Sequence, residues 1–132
     1  MADLNFSERP KLRNPVLVCA FGGWPDASES ATRAIRYLIG KFGAVKFAEI
    51  NPEEFFDFTR LRPNVASGPK QDRVIRWPKN EFFKWCSEDA SRRDLIIFTG
   101  TEPHLKWKLF TSFIMEIVEH CGVELMVTLG AL

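Results

Sequence analysis

What this sequence has little of narrows its function before any motif is read. The formal net charge is +1, so no global field draws the chain toward nucleic acid or an anionic membrane. The three cysteines, Cys19, Cys86 and Cys121, are odd in number and far apart, without a Cys-x-x-Cys pair or a Cys/His cluster. That argues against a zinc site and leaves buried free thiols as the expectation, Cys19 in an apolar run and Cys121 at a helix end. The first 15 residues contain no apolar stretch, which excludes a signal peptide in them, and no apolar run approaches the length needed to cross a bilayer. A reduced, cytoplasmic compartment is expected. There is no Gly-x-Gly-x-x-Gly and no P-loop lysine, so no phosphate-binding fingerprint is present.

What is there suits a globular α/β chain. Its 132 residues are long enough for one domain with a sizeable core, and hydrophobic residues make up 45% against 27% charged. Aromatic surface comes from 12 Phe and 4 Trp, with a single Tyr, a rich supply for a core or an interface.

Residues 1–14 read as a flexible arm, and residues 15–132 as part of a single domain. Val16 to Phe21 is apolar throughout, as for a strand buried on both faces of a parallel sheet. Gly22-Gly23-Trp24-Pro25 breaks it, and Asp26-Ala27-Ser28-Glu29 has capping-box spacing. Ala31, Ala34, Ile35, Leu38, Ile39 and Phe42 make a helical stripe that Gly40 or Gly43 ends. A strand is expected over 44–50 and a turn or short helix from Asn51-Pro52 to Phe56. Residues 57–80 read as a long excursion rich in Pro, Gly and Arg, with an edge strand over 74–77. Phe82, Phe83 and Trp85 suggest a short amphipathic helix. Asp94 to Thr99 is a clear strand, and a helix is expected from near Pro103 to Gly122. Glu124 to Leu129 is a further buried strand. With no helix after it, one sheet face would stay uncovered, so an incomplete domain is expected.

Three strands end in glycine, at Gly22, Gly100 and Gly130. The carboxyl ends of strands in open α/β sheets form ligand crevices, so the loops 22–26 and 100–104 should share an edge. Gly22-Gly23 could cradle a phosphate on backbone amides; a tight strand-to-helix turn is the plainer reading. Asp26 reads first as a helix cap. Glu102 and His104 could act as acid and base, or serve as dipole complement and solvated first-turn residue. Trp24 and Trp107 are candidate interface anchors. Between residues 60 and 79, Arg60, Arg62, Lys70, Arg73, Arg76 and Lys79 face only Asp72. Interleaved with Trp77 they could touch RNA or an acidic partner; solvated structural arginines are the plainer reading.

Several blocks together carry a resemblance. Phe21 to Ala27 (FGGWPDA), Asp57 to Pro63 (DFTRLRP), Arg73 to Pro78 (RVIRWP), Gly100 to Trp107 (GTEPHLKW) and Thr128 to Leu132 (TLGAL) resemble, in this order, the proteasome assembly chaperone 2 family, in its prokaryotic branch. The resemblance implies a three-layer α/β/α sandwich with a mostly parallel sheet, similar to purine nucleoside phosphorylases, of which this chain would hold the N-terminal half. It also implies an assembly chaperone or scaffold. Ser28 stands where family members commonly carry Gly.

Two functions follow as expectations. One is a non-catalytic protein-interaction module whose partner is a proteasome-like subunit or a second copy of the chain, with no cofactor, metal, nucleic acid or membrane. The other is an enzyme, such as a ligase or hydrolase, binding a nucleotide or carboxylate at the glycine-lined edge through Gly22, Gly23, Asp26, Glu102 and His104.

Overall fold

A computed structural model describes residues 3–70 and 72–132. In chain order the elements are β1 (Leu4–Phe6), β2 (Val16–Gly22), a 3-10 turn (Ala27–Glu29), α1 (Ser30–Phe42), β3 (Val45–Ile50), β4 (Asn64–Ser67), β5 (Arg73–Arg76), β6 (Glu81–Trp85), β7 (Leu95–Thr101), α2 (Trp107–Cys121) and β8 (Leu125–Leu129). Six strands form one sheet in the order β1-β3-β6-β7-β2-β8, and β4-β5 form a separate hairpin.

The two apolar strands legible in the sequence sit where their composition requires. In β2, Leu17 and Cys19 belong to one buried cluster and Ala20 to the other, because alternate side chains leave opposite faces of a strand. In β7, Ile96 and Phe98 join the first cluster and Ile97 the second. Helix α1 packs Ala31 and Ile35 into the second cluster, and α2 packs Phe110, Ile114, Ile117 and Cys121 into the first. The first cluster is largely aromatic: Phe82 and Phe98 lie 4.6 Å apart between ring centroids, and Phe55 meets Phe110 edge-on at 5.3 Å. Offset and edge contacts of this kind add to simple area burial.

The sheet is mixed, not mostly parallel. β2 runs parallel to β7 and β8, whereas β1-β3, β3-β6 and β6-β7 are antiparallel. The reason lies in β6, where the aromatic-rich segment Phe82 to Trp85 forms a strand in place of the expected helix. Only the short segment 86–94 separates β6 from β7, too little for the crossover of about a dozen residues that a parallel neighbour needs. The β6 side chains then alternate, with Phe82 in one cluster and Phe83 packed on the other.

Within the segment expected as a loose arm, residues 4–6 form a paired strand. Residues 1–2 lie outside the described residues, but Leu4 and Phe6 pack on the first cluster while their backbone pairs with Ile50 and Ala48. Farther on, the Arg13 amide donates to the buried Asp94 carboxylate at 2.7 Å, and the Asp94 amide returns a bond to the Arg13 carbonyl at 3.1 Å.

Helix boundaries move for local reasons. Gly43, at φ 62°, ends α1, and Gly122, at φ 69°, ends α2; Gly40 is inside its helix. α2 starts at Trp107 and not near Pro103. The amides of His104 and Leu105 both donate to the Phe55 carbonyl, at 2.8 and 3.1 Å, which holds the segment after β7 out of the helix. Of the cysteines, Cys19 and Cys121 are buried and free as expected, while Cys86 is free but exposed. No helix among the described residues is long and apolar enough to cross a membrane.

Candidate functional site

The carboxyl ends of β2, β7 and β8 meet at one edge. Phe21 is in register with Gly100, Gly22 with Thr101, and Ala20 with Leu129. The Glu102 amide donates to the Gly22 carbonyl at 2.9 Å, and the Ala131 amide to the Pro25 carbonyl at 2.8 Å. The loops after the three strands are thus joined by backbone bonds. Gly130 lies against the same Pro25 carbonyl.

Asp26 organises the turn into α1 from farther back than a capping box would. Its Oδ1 accepts from the amides of Ala31 and Thr32 at 2.7 and 3.1 Å, and its Oδ2 from the Thr32 hydroxyl at 2.7 Å. Ser28 and Glu29 both adopt left-handed backbone, at φ 55° and 56°, so the chain turns twice before α1 begins. Burial pushes the Asp26 carboxyl up, but the Thr32 hydroxyl, the Thr32 and Ala31 amides and the Arg36 charge outweigh it and hold it below its ordinary value. The helix N-terminus is therefore already filled by a carboxylate of the chain itself.

The remaining expected site residues separate into three settings. Gly22, Gly23, Asp26 and Gly100 line a cleft of about 880 Å³ between α1 and the segment 76–81. Glu102 and Trp107 line a smaller cavity of about 150 Å³ with Phe21, Pro25 and Phe110. His104 lines neither. Its Nδ1 accepts from the Asp57 amide at 2.9 Å, and its ring meets Phe56 edge-on. An accepting Nδ1 places the proton of the neutral ring on Nε2. Trp24 is the most exposed of the four tryptophans, at 88%.

Sequence reading passed over the cleft's far wall. Arg76, Trp77 and Lys79, read as a solvated loop, line it together with Arg36. Trp77 is seated edge-on against Phe58 at 5.1 Å, which fixes where the hairpin β4-β5 joins the body. Asn80 is 1% exposed, its Oδ1 accepts from the Thr101 amide at 2.9 Å, and its Nδ2 has no partner among the described residues. No sequence signal marks Asn80; only the meeting of β6 and β7 makes it buried.

The sequence profile of the PAC2 family matches residues 20–132. No curated protein matches the chain. Among solved structures, a PAC2 family protein from Streptomyces avermitilis is similar at 34% identity and a TM-score of 0.81, over 89% of this chain and 50% of its own. A proteasome-assembly chaperone homologue from Mycobacterium tuberculosis is similar at 31% identity and 0.79, over 89% and 49%. An archaeal proteasome activator from Pyrococcus furiosus is similar at 25% identity and 0.71, over 96% and 50%. The chain spans about half the length of each of these proteins.

Proposed function

This chain belongs to the PAC2 family, and on that premise we propose that it is a non-catalytic assembly factor of the cytoplasm that binds proteasome-type subunits or a second copy of itself. The observation that carries the reading is the likeness to a proteasome-assembly chaperone homologue at 31% identity. The surface supports it. Trp24 is exposed in the loop after β2, Leu105, Trp107 and Met115 are exposed before and along α2, and Leu125, Met126 and Val127 are exposed along β8 at the end of the sheet. Large exposed aromatics of this kind supply much of the energy at protein interfaces. In this reading the remainder of a three-layer sandwich, similar to purine nucleoside phosphorylases, would cover the β8 end of the sheet. The acid-base alternative draws little support from His104, whose Nδ1 is committed to a backbone amide.

The test is size-exclusion chromatography with light scattering on the purified chain, alone and mixed with purified proteasome α-subunits. A complex or a homo-oligomer is expected, weakened at least about tenfold by Trp24→Asp or Trp107→Asp, as for interface hot spots. A chain that stays monomeric and fails to co-elute with α-subunits would end the proposal.

A further inference from the structure

The 880 Å³ cleft carries an inference that does not depend on the partner-binding reading. Its size falls within the roughly 300–1,000 Å³ of ordinary small-molecule sites. Its charges are unequally committed. Asp26 is saturated by Ala31 and Thr32, Glu81 pairs with Lys46 at 2.9 Å, and Glu29 lies 3.6 Å from Arg33. Arg36, Arg76 and Lys79, in contrast, form no ion pair among the described residues. The three cations line two sides of one cleft; Arg36 acts on the Asp26 carboxylate at longer range, and Arg76 and Lys79 are in no ion pair among the described residues. The Trp77 ring, 46% exposed, lies among them.

A second observation comes from the polar atoms behind the cleft. Asn80 presses against Gly100 so closely that a Cβ there would stand 2.5 Å from its Oδ1. With Oδ1 occupied by Thr101, its Nδ2 is a buried donor without an acceptor among the described residues, a state that native structures rarely leave unanswered. Asn80 lines a neighbouring cleft of about 510 Å³ that shares Arg76, Trp77 and Lys79 with the first. The two clefts thus share Arg76, Trp77 and Lys79 as lining residues.

We propose that this cleft binds a small oxyanion carried on a flat ring, a ring-bearing phosphate or carboxylate, with Arg36, Arg76 and Lys79 holding the anion and Trp77 stacking on the ring. Guanidinium forks match both phosphate and carboxylate oxygens, and an indole face is an apt platform for a planar group. A helix-dipole phosphate site is not involved, since Asp26 fills the α1 N-terminus.

Isothermal titration of the intact chain with adenosine monophosphate, benzoate and inorganic phosphate tests this and separates the two anion types. Saturable binding of the nucleotide or of benzoate is expected, with inorganic phosphate at least tenfold weaker. Arg36→Gln and Arg76→Gln, both at exposed surface positions, should each weaken binding at least tenfold while the chain still shows a cooperative melt. Absence of binding by all three probes, or binding unchanged in both arginine variants, overturns the site. Equal binding of nucleotide and inorganic phosphate overturns the role of Trp77.

Discussion

The amide of Asp57 donates to Nδ1 of His104 at 2.9 Å, joining the start of the excursion to the loop after β7. That bond turns the most reactive-looking side chain of the sequence into an anchor. His104→Ala should therefore destabilise the fold by about 1–2 kcal/mol, the usual cost of orphaning a partly buried donor. Urea denaturation would measure it. A loss below about 0.5 kcal/mol would mean that water replaces the ring without cost.

Asp26 should matter more than a surface carboxylate. Asp26→Ala removes the acceptor of two amides and a hydroxyl, and a loss of about 1–2 kcal/mol is expected from the capping role. The pH dependence has a definite sign. The folded carboxyl titrates below its ordinary value of 3.8, so its contribution is complete above that pH and is lost as pH falls through the lowered folded value. Acid unfolding curves of wild type and Asp26→Ala should converge at the acid end; parallel curves would contradict this.

Two glycines on the same sheet edge should respond oppositely to alanine. At Gly22 a Cβ meets nothing nearer than 3.7 Å, whereas at Gly100 it would collide with the Phe98 ring and Asn80 Oδ1, each at 2.5 Å. Gly100→Ala should cost about 1–3 kcal/mol, as overpacking does, and Gly22→Ala much less. Thermal melts of the pair would decide it, with equal losses ruling out the packing account.

Thiol reactivity should separate the cysteines. Cys86 is exposed, while burial pushes Cys19 up to about 12 and also raises Cys121. Since the thiolate is the reactive form, a maleimide reagent should modify one thiol in the native chain and three after denaturation. Mass spectrometry showing Cys19 labelled without unfolding would be at odds with the core described.

The elements legible in the sequence were those whose pattern depends only on local burial. β2 and β7 announced themselves as continuous apolar runs, Gly122 marked its helix end, and Gly43 was one of two glycines offered for the other. β6 was not legible, because three aromatics in a short span fit a helix face or a strand equally well and only the short link to β7 decides. At the candidate site, the adjacency of Gly22 and Gly100 followed from strand chemistry. The far wall did not: Arg76 and Trp77 reach the cleft because Trp77 packs on Phe58, a contact between residues that no periodicity connects. Ser28 and Glu29 hid their left-handed turns, since nothing in either residue type requires that backbone.

β2 lies inside the sheet, yet its neighbours are made late: Val16 pairs with Leu95 on one side and with Leu125 on the other. On the ribosome this strand emerges before either neighbour and waits, both edges open, until β7 has been synthesised. Its earliest partner arrives only after the hairpin and β6 have been translated. Folding of the central sheet is thus a late, concerted event dominated by distant contacts, which makes it slow and exposes the nascent strand to mispairing. A stalled or shortened translation product ending before β7 would carry Val16 to Phe21 as an unprotected apolar strand, a natural substrate for a holding factor.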